Sequence, residues 1–327
     1  MCDYNGIGPE IILKSFNDLK TNEVSFIALG HVSVFDFYKE KLQVNTELKE
    51  ISALNESEAG KLNILNVVND RLIDIEPGSL TADAGKASMV AVSEALDFCL
   101  AGNADAIVTA PISKEAIQLG GFDFPGHTEF LAANSGNKDF LMMLVNDELR
   151  VALGTIHIPL SKVSGLINEN LILKKLEILD LSLKNDFMIK EPSIAVLGLN
   201  PHAGDGGVIG REELDVITPA LQKASFKNIN AKGPFPADSF FGSSRYKEFD
   251  AILACYHDQG LIPFKTLSFG KGVNYTAGLP VIRTSPDHGT AFDIAGLNLA
   301  GNGSVKAAIK LAIALAKNRK NHKISND

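Results

Sequence analysis

Apolar positions along the chain follow two alternating patterns: short unbroken aliphatic runs, and longer stretches in which apolar residues return at three- and four-residue spacing. Residues 88–100, 171–183 and 305–317 read as amphipathic helices, and Asp105-Ala-Ile-Val-Thr-Ala-Pro111 as a buried strand that stops at its proline. This alternation predicts an α/β chain with mostly parallel sheets. In three more apolar runs a polar loop with a histidine follows at once: Val151-Ala-Leu-Gly-Thr-Ile-His157, Ile194-Ala-Val-Leu-Gly-Leu-Asn-Pro-His202 and Ala251-Ile-Leu-Ala-Cys-Tyr-His257. Ligands of open parallel sheets bind beyond the carboxyl ends of the strands, which puts His157, His202 and His257 where chemistry is expected.

No internal repeat, low-complexity tract or Ser/Pro-rich linker interrupts the 327 residues, so two domains would be joined by crossing strands or helices. Hydrophobic residues make up 45% and charged residues 21%, which excludes disorder as the main character. The longest apolar runs, such as 307–316 with Lys310 inside it, stay short of the about 20 residues that cross a bilayer. Met1-Cys-Asp-Tyr4 has neither the basic nor the apolar part of a signal peptide, and the expectation is a cytoplasmic protein away from membranes. A net charge of −8, with basic residues gathered only in Lys317-Asn-Arg-Lys-Asn-His-Lys323, argues against nucleic acid as a partner. That tail reads as a fraying helix end whose cations sit near the negative end of the dipole. Cys2, Cys99 and Cys255 lie too far apart for a disulfide framework or a metal knuckle and read as small buried apolar side chains.

The three strand-end histidines can meet only through the fold. Three neutral imidazoles with open positions would form a catalytic divalent-metal site; the alternative for each is a hydrogen-bonded loop histidine. Asp258 and Asp238 are carboxylates for orienting such a site or moving a proton, or else loop caps. Pro125-Gly-His-Thr-Glu-Phe-Leu-Ala132 reads as a turn into a helix with Thr128 as N-cap and Glu129 in its first turn, a place where free amides attract phosphate or carboxylate, or simply an ordinary cap. Asn5-Gly-Ile-Gly-Pro-Glu10 is a similar lead into a helix at Ile11, with Pro9 suited to the first helical position. Lys265, Lys271 and Arg283, with Asn274 between them, are the cation candidates for an anionic ligand, and Lys114 is a weaker one. No GxGxxG joins a strand to a helix, since Gly204-Asp-Gly-Gly-Val-Ile-Gly210 fails that spacing. The small and polar residues of 283–296 instead look like a backbone-lined ligand loop.

Seven segments together give the chain a resemblance to the PdxA family of 4-hydroxythreonine-4-phosphate dehydrogenases, nearly end to end: Asn5-Gly-Ile-Gly-Pro-Glu10, Thr109-Ala-Pro-Ile-Ser-Lys114, Gly126-His-Thr-Glu129, Asn200-Pro-His-Ala-Gly204, Gly233-Pro-Phe-Pro-Ala-Asp238, Tyr256-His-Asp-Gln-Gly260 and Asp287-His-Gly-Thr-Ala291. The last is also similar to the nucleotide loop of isocitrate and isopropylmalate dehydrogenases. The resemblance implies their two-domain α/β fold, a three-layer α/β/α arrangement with mixed, mostly parallel sheets and an active site in the interdomain cleft. It divides the chain into a discontinuous nucleotide-binding domain, 1–122 plus 276–327, and a metal, substrate and dimerisation domain, 123–275. It further implies a homodimer with the active site at the subunit interface, and a divalent metal (Zn, Mg or Co) held by His157, His202 and the partner's His257. His127, Thr128, Lys265, Asn274 and Arg283 would hold the substrate, and NAD would lie along Thr284, Ser285, Asp287, His288, Gly289 and Asp293. Asp258 and Asp238 are the candidate catalytic acids and bases.

The implied reaction is oxidation of 4-phosphohydroxy-L-threonine to 2-amino-3-oxo-4-phosphooxybutanoate, which decarboxylates to 3-amino-2-oxopropyl phosphate, in vitamin B6 biosynthesis. A paralogue acting on 4-phospho-D-threonate or 4-phospho-D-erythronate, a metal-dependent hydrolase without nucleotide, and a catalytically dead dimer kept as a binding protein are the rivals. One departure is plain: Asp3 is kept, but Tyr4 stands where the family has proline, and the strand that precedes this motif in the family is not seen. About ten residues added upstream are therefore expected to raise the melting temperature.

Overall fold

Proline suits only the first turn of a helix, and the first helix accordingly spans Gly8–Leu19 with Pro9 in that turn, three residues ahead of the start expected at Ile11. The computed structural model describes residues 1–69, 73–124, 126–137, 139–268 and 271–326, without the side chains of 323–326; Pro125 and the side chain of Lys323, both used above, lie outside that set. The chain divides into two compact units, Met1–Lys138 with Pro280–Ala312, and Asp139–Leu279 with Ile313–Asp327.

In the first unit β1 (Phe26–Gly30), β2 (Leu48–Ile51) and β3 (Leu62–Asn66) form a parallel sheet in the order β1-β3-β2. β4 (Ala106–Val108), shorter than the strand expected over 105–111, pairs in parallel with β11 (Ile282–Pro286). Tyr4, Leu13, Phe35, Tyr38 and Ile64 are buried together as the core. The opening residues are tied down: the Met1 ammonium donates to the Leu29 carbonyl at 2.8 Å, and the Asp3 amide to that of Pro111 at 3.3 Å. Asp3 Oδ1 accepts from the Asn5 amide at 3.0 Å. Burial outweighs those amide bonds and pushes its carboxyl up to about 6.

The helix expected at 88–100 runs over Ala82–Leu100, because the Thr81 hydroxyl caps it by accepting from the Ala84 amide. Gly85 faces the short helix Lys114–Leu119 so closely that a Cβ there would come 2.0 Å from the Ala116 carbonyl oxygen.

In the second unit β5 (Leu141–Val145), β6 (Arg150–Leu153), β7 (Ser193–Leu197), β8 (Asn230–Phe235), β9 (Ala251–Ala254) and β10 (Val273–Ala277) lie in the order β10-β5-β6-β9-β7-β8. β5 runs antiparallel to both neighbours and the remaining pairs are parallel. Leu144, Val151, Ile252, Phe240 and Phe264 fill its core. The helix expected at 171–183 spans Glu169–Asn185, with Asn168 accepting from the Leu171 amide as its cap.

Residues 126–137 belong to the first unit, where Phe130 packs edge-on against Phe122 and Phe124. The C-terminal tail belongs to the second unit, where the last helix continues over Gly303–Asn326. Arg319 Nε holds the buried Asp186 at 2.5 Å while Asn318 donates to the Asp186 carbonyl at 2.7 Å. Among the described residues no helix is long and apolar enough to cross a membrane.

Candidate active site

Parallel pairing of β6 with β9 and of β9 with β7 puts the carboxyl ends of three strands side by side, with Leu153 opposite Ala254 and Val196 opposite Leu253. His157 follows β6 by four residues, His257 follows β9 by three and opens the helix His257–Ser268, and His202 follows β7 by five. The strand ends are stitched together. The Thr155 hydroxyl donates to the Cys255 carbonyl at 2.9 Å. Gln259 accepts from the Cys255 amide at 2.7 Å and donates to the Gly198 carbonyl at 2.6 Å, linking the approach to His257 with the approach to His202. Gly260 lets this helix close on β6, since a Cβ would meet Leu153 and Val151 at 2.8 Å.

The His157 and His257 rings come to 5.9 Å between centroids. They line a cleft of about 480 Å³ with Thr155, Ile156, Ile158, Leu160, Val163, Tyr256 and Asp258. His257 Nδ1 is 2.7 Å from Asp258 Oδ1, which leaves Nε2 as the nitrogen available to a cation. Asp258, a candidate base, is thus engaged in orienting His257. Within one chain the structure brings His157 beside His257, where the expectation joins it to His202 and the partner's His257. His202 is exposed and is not part of the cleft lining, and the described residues contain no group of three His, Cys, Asp or Glu able to hold a metal within one chain. The two imidazoles, one with its second nitrogen on a carboxylate, are a donor set that fits a divalent ion needing a further ligand.

Asp238 is exposed in the first turn of Ala237–Gly242 and does not line the cleft. Lys265 is exposed in the last turn of its helix. Asn274 is half-buried in β10, and its side-chain carbonyl oxygen is buried with no hydrogen-bond partner. Lys114 and Lys271 are exposed.

The first unit holds a different chemistry. Arg283, in β11 and 3% exposed, donates from Nε and Nη2 to the Thr109 hydroxyl at 3.2 and 2.8 Å, and from Nη1 to that of Thr128 at 3.2 Å. Thr128 is therefore not the N-cap of its helix: His127–Asn134 starts from Gly126 with no side-chain cap, and Glu129 sits in its first turn. Burial lowers Arg283 to about 10, which still leaves it charged at neutral pH, with the Glu129 charge acting the other way. His127 is held neutral by burial and by the Arg283 charge, and its Nε2 lies 3.5 Å from the Cys2 sulfur. Burial raises the Cys2 thiol despite Arg283. The Cys99 and Cys255 thiols are pushed up to about 12, by burial first and then by the charges of Asp105 and Glu213 respectively.

Along the expected nucleotide loop, Thr284 and Ser285 are buried strand residues, and the Thr284 hydroxyl is turned onto the Ala308 carbonyl at 2.9 Å. The Asp287 amide donates to Ser304 Oγ at 3.1 Å, and the Ile7 amide to the Thr290 carbonyl at 3.0 Å. His288, Gly289 and Asp293 are exposed, and open space lies where a Gly289 Cβ would project. A loop pinned at both ends with exposed residues 288–289 between, where His288 Nδ1 lies 3.2 Å from the Gly289 carbonyl oxygen, fits a ligand that reads backbone groups.

Sequence reasoning did not single out Thr109, Gln259 or Glu213. The first two lie inside the quoted segments; Glu213 carries no periodicity or motif signal. The model of the family described as "Pyridoxal phosphate biosynthetic protein PdxA" matches residues 22–312. A 4-hydroxythreonine-4-phosphate dehydrogenase of Bacteroides thetaiotaomicron is 45% identical over 98% of this chain and 88% of its own. A putative D-threonate 4-phosphate dehydrogenase of Salmonella typhi is 40% identical over 97% of each. The crystal structure of the 4-hydroxythreonine-4-phosphate dehydrogenase of Klebsiella pneumoniae, 36% identical, superposes with a TM-score of 0.86 over 97% of this chain and 96% of that one. The mixed α/β architecture is accordingly isocitrate/isopropylmalate dehydrogenase-like, and the chain belongs to the PdxA family.

Proposed function

We propose that the protein is an NAD-dependent and divalent-metal-dependent dehydrogenase of 4-phosphohydroxy-L-threonine, working as a homodimer in pyridoxal phosphate synthesis. The ketone formed, 2-amino-3-oxo-4-phosphooxybutanoate, is a β-keto acid and decarboxylates to 3-amino-2-oxopropyl phosphate. The observation that carries the reading is the buried Arg283 with its fork turned to Thr109 and Thr128, in a chain of this family. A planar guanidinium beside hydroxyls suits the oxygens of a phosphate, and the neutral His127 adds a donor without a competing charge. Lys265 supplies a further point charge, and the unpartnered Asn274 oxygen is an acceptor for the substrate's amino group.

When bound, a divalent ion lowers the pKa of the substrate hydroxyl and NAD accepts the hydride. His157, His202 and the partner's His257 are the residues to hold the ion, with Asp258 fixing the tautomer of His257. Of the two candidate carboxylates, Asp258 lines the cleft and is held on His257, whereas Asp238 stands outside that lining without such an engagement. The exposed residues 288–289 and the carboxylate of Asp293 suit the ribose and pyrophosphate of NAD, with Asp293 repelling a 2′-phosphate.

The Salmonella typhi relative supports a second reading, with phosphothreonate as substrate. NADH formation at 340 nm tests both: 4-phosphohydroxy-L-threonine as the responding substrate, with loss of at least a hundredfold on chelation and in His202→Ala, is the expected result. A response to 4-phospho-D-threonate alone assigns the paralogous activity, and no response to either overturns the proposal.

A further inference from the structure

His202 opens a run of six residues with positive φ, His202 at 54°, Ala203 at 52°, Gly204 at 81°, Asp205 at 44°, Gly206 at 65° and Gly207 at 97°. Three of the six carry side chains that disfavour this region, so the turn persists only where its surroundings over-determine it. What lies beneath it is the carboxylate of Glu213, 2% exposed. Glu213 Oε1 accepts from the backbone amide of Asn200 at 2.7 Å and Oε2 from the Asn200 side-chain amide at 3.0 Å, while Glu212 Oε2 accepts from that same side chain at 2.7 Å. Oε2 also closes the underside of the turn, since a Cβ on Gly204 would come within 2.6 Å of it.

Glu213 is brought there by a single π-turn, Glu213–Ile217, leading into the helix Thr218–Phe226. Pro219 has no N–H to return to Asp215, and the wider register accommodates that gap. A buried carboxylate gripping the residue two before His202, from both main chain and side chain, is used by no step of the reaction above.

We infer that Glu213 is a positioning residue, clamping Asn200 so that the left-handed turn presents His202 for cation binding. The inference rests on the reading in which His202 is a metal ligand. Its test is a Co²⁺ titration of the metal-stripped full chain, followed by visible absorption and by chelator competition, with amide hydrogen exchange of 201–207 measured before metal is added. Glu213→Gln keeps the volume but sets an NH₂ group against the Asn200 donors.

The expected result is a Co²⁺ affinity weakened by about tenfold or more, and faster exchange of 201–207 without metal. Asn200→Ala, which keeps the main-chain bond, is expected to show a smaller loss in the same direction, and it decides the matter if Glu213→Gln does not fold. A folded Glu213→Gln with Co²⁺ affinity within about twofold of the parent overturns the inference, as does a lowered melting temperature with unchanged affinity. If His202→Ala binds Co²⁺ as the parent does, the metal reading itself fails, and the positioning role with it.

Discussion

Asp3 and Arg283 are both buried charged groups of the first unit, and burial acts on them in opposite directions along the pH scale. Arg283 stays charged at every physiological pH, whereas Asp3 changes charge within reach of ordinary buffers. Its carboxyl titrates near 3.8 in the unfolded chain and near 6 when folded. Between those values the folded state holds the extra proton, so stability contributed by the protonated form is present at pH 4 and is lost as pH rises through about 6, by up to about 3 kcal/mol. Asp3→Asn keeps the acceptor for the Asn5 amide and cannot ionise. Its stability relative to the parent should therefore rise between pH 4 and 6.5, a difference of several degrees in melting temperature at the upper end. Unfolding curves that stay parallel across that range would sink the assignment of this titration to Asp3. Arg283 was singled out for its place in sequence among Lys265, Lys271 and Asn274. The diversion of Thr128 from capping to Arg283 was not legible, since it depends on a pairing across 155 residues.

At the scale of elements, the apolar periodicity located the cores of the long helices and missed their ends. Residues 82–87, Ala-Asp-Ala-Gly-Lys-Ala, carry no wide apolar stripe, yet they are helical because Thr81 caps them and Gly85 and Ala84 are buried. Small residues signal close approach only once the partner is known, here the Lys114–Leu119 helix. Gly85→Ala places a methyl group against the Ala116 backbone, which no side-chain rotation can relieve. Such overpacking costs about 1–3 kcal/mol, and thermal unfolding should show a Tm lowered by several degrees. A Tm at or above the parent's would mean that the two helices can separate freely. The last helix was legible as a helix end, but its anchor was not: Arg319 and Asn318 reach Asp186, 133 and 132 residues away in sequence.

At the scale of the whole molecule, the α/β class followed from alternation, and the family from seven short segments that no composition or period would reveal. The three histidine strand ends were visible because each apolar run ends in the same way; which histidines meet was not, since that depends on strand order and on oligomerisation. The proposed homodimer makes a mixing experiment decisive. If His157 and His202 act with the partner's His257, His202→Ala and His257→Ala proteins, each inactive alone, should regain about a quarter of parental activity after dissociation and random reassociation, because half the dimers then carry one intact site of two. No regain would assign all three ligands to a single chain.

The two buried thiols, Cys2 and Cys255, give the protein a built-in clock, while Cys99 is only half-buried and does not share it. Cys2 and Cys255 are buried and burial raises both thiols, Cys255 to about 12, so alkylation of the native state is slow at both. Reaction of these two with iodoacetamide then waits on exposure to solvent, so the rate at each counts opening events. Cys2 reports on one unit and Cys255 on the other, and a mass spectrum of the labelled peptides reads the two openings separately in one tube.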